Sequence, residues 1–200
     1  MRENSKKQKR GRPKKVDRNE ILRVAIDSYW TEGIQAISLN EICRRTKTAK
    51  PGLYREFASE DGLMRAALEQ YQDEVLSPLH HHLLSSLTLE EITQKLVTIM
   101  NSNTERPQGC LFVKMKEAED QLGEQTKQAL RQCHQTSLEM YRQVAEKLIK
   151  NKSIASHLSP ILASKYLNTQ INNASALLAR GENIQDVEML LTLSFRALLR

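Results

Sequence analysis

"TKTAKPGLYREF", residues 46–57, joins a Pro-Gly pair, normally a turn signal, to Leu53, Tyr54 and Phe57, which are spaced like the buried face of a helical turn. Two poor helix formers fit such a segment if they open a helix. In a first turn the missing N–H of proline has no intrahelical partner to lose, and glycine lets a helix start approach another surface closely. The stretch therefore predicts a brief third helix with Thr48 as its N-cap, Pro51 in its first turn, Leu53 and Phe57 inward, and Lys50, Tyr54 and Arg55 outward. Cationic and aromatic-hydroxyl groups on the outer side of so short a helix suit a reader of the DNA major groove.

The flanks agree. Asp17 opens "DRNE", a cap with Glu20 three residues on, and Ile21, Leu22, Ala25, Ile26, Tyr29 and Trp30 recur on one face until Gly33. Ser38 opens "SLNE", a second capping box in which Glu41 is expected to return to the cap, with Ile37 and Ile42 at the staple positions. A short second helix over 39–45 follows, with Leu39, Ile42 and Cys43 inward, and "TKT" is the tight connection of a helix-turn-helix unit. "ASED" restarts a helix at Ser59, where Leu63, Ala67, Tyr71, Val75 and Leu79 repeat every four residues, predicting a long helix that links two regions.

The formal net charge of +6 is placed unevenly: residues 1–18 hold nine Lys/Arg against two acids, and the rest of the chain is close to neutral. The basic character belongs to an arm. Three cysteines without paired spacing argue against a disulfide framework, and no apolar run reaches the ~18 residues of a membrane span. The expected protein is soluble and cytoplasmic, associated with the nucleoid, and without a membrane partner. No nucleophile elbow, phosphate-binding glycine loop or zinc-protease spacing occurs, so neither catalysis nor a cofactor is expected.

Residues 11–71 resemble the DNA-binding domain of the TetR family of transcriptional regulators. The resemblance is carried by "GRPKK", the Ala25, Trp30 and Gly33 pattern, "SLNEI" (38–42), "PGLYREF" (51–57), "SEDGL" (59–63) and Tyr71, in that order. It implies that Ser38, Thr48, Lys50, Gly52, Tyr54 and Arg55 face phosphates or bases of double-stranded DNA. Two positions depart from the family pattern. Lys47 stands where glycine is usual in the turn, and Glu60 stands where a phosphate-contacting lysine is usual. The arm contains "RGRP", which resembles the AT-hook core, so Arg10 and Arg12 are expected in an A·T minor groove.

The resulting expectation is all-α: a disordered basic arm (1–16), a three-helix helix-turn-helix DNA-binding domain (17–71) and a larger helical ligand-binding and dimerisation domain (72–200). The last part is electrically balanced, with 14 basic and 14 acidic residues. Its helix signals are "TLEE" from Thr88, a break at "RPQG" (106–109), a helix from Cys110 to about Leu122, one from Glu124 to Ile149, one from Ser159-Pro160 to Arg180 and a last one from Asn183. The last helix is apolar on more than one face, and the resemblance implies that the final two helices form a four-helix bundle with a second subunit.

Effector chemistry is less specified. Cys110, Phe112, Tyr141 and Asn172 are the candidate effector-binding residues for an unidentified small molecule. Cys110 in "GCLFVK" reads either as a small buried hydrophobe or, by resemblance to a subset of the family, as a thiol sensor with Lys114 as a helper. "HHH" (80–82) reads as a solvated helix end in preference to a metal site, because consecutive helical residues diverge and no Cys, Asp or Glu stands four residues on. Asn172, Asn173 and Ser175 satisfy one another at an interface or line a pocket. The functional reading is an effector-responsive, homodimeric repressor acting on a palindromic operator. The alternatives are a constitutive DNA-binding protein and a helical protein-interaction module.

Overall fold

Three side-chain caps set the first half of the fold. In the computed structural model, which describes residues 17–102 and 109–199, Asp17 accepts from the amides of Asn19 and Glu20 and starts α1 (Arg18–Glu32). Ser38 accepts from Glu41 N and starts α2 (Leu39–Thr46), and Ser59 accepts from Gly62 N and starts α4 (Glu60–Tyr71). Between them lies α3 (Lys50–Phe57). Each cap satisfies amides that a helix start leaves without partners.

Two details differ from the sequence reading. The N-cap of α3 is Ala49, with no side-chain hydrogen bond, and Thr48 instead turns its hydroxyl back to Thr46 O at 3.4 Å. Pro51 already removes one orphan donor of the first turn, so a side-chain cap is less needed there. The second box is half built. Ser38 Oγ holds Glu41 N at 3.3 Å, but the Glu41 carboxylate is taken by Arg44 and Arg45. Lys47 does adopt the left-handed conformation (φ 53, ψ 33) that its turn demands of a residue usually replaced by glycine.

The helix from α4 runs on through a π-helical segment (Gln72–Leu76) into α5 (Ser77–Leu84). The every-fourth-residue pattern predicted no such widening. After α5 come α6 (Leu89–Ser102), α7 (Leu111–Glu117), the long α8 (Glu124–Lys150), α9 (Pro160–Ala179) and α10 (Ile184–Arg196). The helix expected from Cys110 to Leu122 stops at Glu117 and continues only as a 3-10 turn, Glu119–Gln121. No strand is formed among the described residues, and none of their helices is long and apolar enough to cross a membrane.

The buried side chains fall into two clusters. One joins α1–α4 to Leu111, Phe112 and Met115 of α7 and to Leu122, Ala129, Leu130 and Cys133 at the start of α8. The other joins Leu83 and α6 to the rest of α8, α9 and α10. The first core thus recruits residues from both sides of residue 71, where the sequence reading placed its boundary.

Candidate nucleic-acid interface and effector cavity

Helix α3 is held from below and bare above. Leu53 and Phe57 are buried, Arg18 stacks its guanidinium 4.5 Å from the Phe57 ring centroid, and Arg18 also donates to Glu56 O at 3.1 Å. Arg18, counted in sequence with the basic arm, is therefore a structural cation. On the opposite side Lys50, Tyr54 and Arg55 are exposed, Tyr54 to 48%, and none of the three makes a side-chain hydrogen bond or ion pair among the described residues. Ser38 is exposed, and Thr48 and Gly52 are half-buried beside this row. Arg10 and Arg12 lie outside the described residues.

Helix α2 is braced against α1 by Arg45, which bonds Glu41 at 2.7 Å, Ser28 at 2.9 Å and Glu32 at 2.9 Å. The two arginine partners hold the Glu41 carboxyl well below the usual carboxylate range. Fixing α2 fixes the turn, and hence the angle at which α3 is presented.

Two neighbouring carboxylates tie this unit together. Glu60 Oε1 accepts from Leu39 N at 3.0 Å, so the residue standing where lysine is usual caps α2. Asp61 accepts from Gln125 N at 3.0 Å, Thr126 N at 3.1 Å and Thr126 Oγ1 at 2.6 Å, capping α8 across 64 residues of sequence. Gly123 is required for that approach: a Cβ there would sit 2.3 Å from the Asp61 carboxyl carbon. The first turn of α4 thus caps three helices with consecutive residues, Ser59 for its own, Glu60 for α2 and Asp61 for α8. The signal was in the sequence only as acids at a helix start, a pattern that suits any helix dipole.

Above this unit lies a cavity of about 430 Å³ whose wall includes Cys110, Phe112, Tyr141 and Asn172, together with Trp30, Tyr71 and residues of α5, α6 and α9. The π segment contributes Val75 and Leu76 to it. Tyr71 donates to Cys110 Sγ at 3.3 Å, and burial pushes the Cys110 thiol above its usual range, opposite to what thiolate chemistry needs. Lys114, whose Nζ donates to Trp30 O at 2.6 Å, lowers the thiol only slightly against the larger effect of burial. His80 departs from the reading of a solvated helix end: it is buried edge-on against Tyr141 at 5.2 Å, whereas His81 and His82 are exposed. A helix that packs one flank on the core buries one histidine of three. Burial, aided by His81, pushes its pKa down to about 4, so the ring is neutral. No group of residues able to hold a metal occurs among the described residues. Asn172 donates to Asn168 at 3.3 Å, and both line the cavity with Ser175, while Asn173 is exposed.

The helix-turn-helix geometry agrees with similarity to known proteins. A family profile for bacterial regulatory proteins of the tetR family matches residues 21–67. The HTH-type transcriptional repressor ComR of Escherichia coli (strain K12) is 32% identical over 111 residues, 54% of this chain and 53% of that protein, so the match spans about half the length of its curated relative. Residues 21–67 therefore form a helix-turn-helix region of the tetR type. Solved structures extend the likeness to the whole fold. The CifR regulator, a cysteine mutant complexed with a 26-bp double-strand operator, superposes with a TM-score of 0.76 at 21% identity, covering 93% of this chain and 99% of that one. E. coli NemR in its reduced form gives 0.73 at 18%, covering 88% and 94%. A TetR-family regulator from Agrobacterium tumefaciens gives 0.77 at 12%, covering 90% and 96%.

The last two helices leave an apolar outer face. Met189, Leu190 and Leu193 of α10 are exposed to 63%, 48% and 54%, near-neighbours on successive turns. Leu191 and Phe195, on the opposite flank, are buried in the chain's own second core. The helix is two-faced, and only its outer residues are available to a partner.

Proposed function

We propose that the protein is a sequence-specific DNA-binding regulator of transcription, a homodimeric repressor released from a palindromic operator by a small molecule held in the cavity. The observation that carries the DNA-binding part is the row Lys50, Tyr54 and Arg55, exposed and without hydrogen-bond or ion-pair partners among the described residues, on a helix whose other side is pinned by Arg18, Leu53 and Phe57. Charged and hydroxyl groups kept free on a rigid support are what phosphate and base contacts require. Residues 17–71 then form the DNA-binding domain, residues 72–200 the regulatory and dimerisation domain, and residues 1–16 an arm whose Arg10 and Arg12 follow the minor groove. ComR is a transcriptional repressor and the CifR complex holds operator DNA, and the extension of both to this chain is part of the proposal.

Dimerisation would use Met189, Leu190 and Leu193, which supply an apolar face on α10 beside α9. Ligand control follows from the cavity wall. Trp30 of α1 and Tyr71 of α4 line it, so an occupant touches helices that carry α3 and alters the spacing of two recognition helices, which must match half-sites about one helical turn apart. The test is a mobility-shift titration against genomic fragments, including the region beside the protein's own gene. Lys50→Ala or Tyr54→Phe is expected to weaken specific binding by about 1–2 kcal/mol with little change in thermal stability. Specific affinity left intact in both variants would sink the assignment of α3.

A further inference from the structure

The polar groups in the cavity wall are all of one kind. Among the described residues Tyr141, Ser137 and Ser175 make no side-chain hydrogen bond, nor does either ring nitrogen of His80; Trp30 Nε1 is buried without a partner, and Asn168 and Asn172 have only each other. Every one of these residues is neutral as placed. Among the described residues of the lining the one formally charged residue is Glu182, which is exposed at the edge. Around this band the wall is hydrocarbon, with Leu79, Leu96, Ile171 and Leu178 among its members.

We propose that the cavity takes an uncharged, mainly apolar molecule bearing a carbonyl or hydroxyl group, with its hydrocarbon against Leu79, Leu96 and Ile171 and its polar group against Tyr141 and the Asn168–Asn172 pair. The inference rests on the reading that the cavity holds an effector, and it names the effector's chemistry. An ion entering this space gives up its hydration and finds no opposite charge inside, which is the most costly form of burial. An anion also passes Glu182 on the way. A wholly apolar molecule enters without that loss, but it leaves the unpartnered hydroxyls and amides as they were, whereas one carbonyl or hydroxyl gives them a partner. The volume, about 430 Å³, lies within the range of small-molecule sites.

Four probes of one shape separate the cases by calorimetry on the full chain: 2-acetylnaphthalene, 2-ethylnaphthalene, 2-naphthoate and 1-(2-naphthyl)ethylammonium. The ketone is expected to bind at least about tenfold more tightly than either ion. Tyr141→Phe is expected to weaken the ketone by about five- to tenfold and to leave 2-ethylnaphthalene unchanged. The series on unaltered protein needs no variant to fold. Either ion matching the ketone overturns the proposal, as does a Tyr141→Phe change that weakens ketone and hydrocarbon alike. If none of the four binds to protein that still shifts its operator, the effector reading of the cavity fails and the proposal fails with it. Binding led by an ion leaves that reading standing and removes this proposal alone.

Discussion

The two hydrophobic cores of this chain are packed to different tolerances. The first, under the helix-turn-helix, holds Ile21, Tyr29, Ile42, Leu53, Leu63 and Leu68 with almost no exposure, and its helix ends are tied by Glu60, Asp61 and Arg45. The second, among α6, α8, α9 and α10, borders a cavity rimmed by polar groups with few partners. A reader of DNA has to present α3 at one angle, so its support gains from dense packing. A sensor has to leave space. Trp30 and Tyr71 belong to both, as members of the first core and of the cavity wall, and they meet edge-to-face at 5.0 Å. The joint between the helix-turn-helix and the cavity is therefore a shared wall of packed rings rather than a flexible linker.

The comparison breaks most visibly by truncation. Leu68→Ala, at a fully buried position of the first core, should cost about 3–4 kcal/mol, because dense surroundings relax little into the space left behind. Leu79→Ala, half-buried on the cavity wall, should cost about 1 kcal/mol, since its removal enlarges a space that already exists. Chemical denaturation measures both. Equal losses would mean that the cavity wall is as tightly constrained as the reader.

A smaller effect is expected from the carboxylates of the α4 start. Asp61→Ala removes the acceptor for two amides and a hydroxyl at the start of α8 and should cost about 2–3 kcal/mol. Glu60→Ala removes one amide acceptor and should cost about 1 kcal/mol or less. If Asp61 also fixes the reader to α8, the Asp61 variant should bind operator less dependently on any cavity ligand, and Glu60→Ala should not. Identical stability losses would show that the α8 cap is redundant with its packing.

These residues also mark where sequence reading ended. The helices were legible because caps and apolar periodicity are local: Asp17, Ser38, Ser59, Thr88, Ser159 and Asn183 all accept from helix-start amides, as their sequence contexts suggested. The outward row of α3 was legible for the same reason, since Leu53 and Phe57 fix which side is buried. What was not legible depends on partners distant in sequence. Nothing around Asp61 names Thr126, and nothing in "HHH" says that Tyr141 buries the first histidine. The grouping of Cys110, Phe112, Tyr141 and Asn172 on one wall likewise appears only after α4, α7, α8 and α9 pack. Asn173, read together with Asn172, was separated from it by the turn of the helix.

A last expected effect concerns the protons of the second core. His80 is buried against Tyr141, and its pKa is pushed down to about 4 by burial first and by His81 second. A histidine whose folded pKa is depressed is neutral in both states at high pH and contributes nothing to pH dependence there. As pH falls below the ordinary histidine range, the unfolded chain takes up a proton that the folded chain refuses, so stability declines until the folded pKa is passed. The loss attributable to His80 should reach about 2 kcal/mol by pH 4, discounted for the space that the cavity leaves beside the ring. His134, half-buried and stacked on Phe112, is depressed in the same direction and keeps part of the slope. His80→Phe, which fills the same edge-on position without titrating, should therefore flatten the fall in urea midpoint between pH 6.5 and 4 without abolishing it. Superimposable pH profiles for the two proteins would place the His80 ring in contact with water, and the second core would then be wetter than its packing implies.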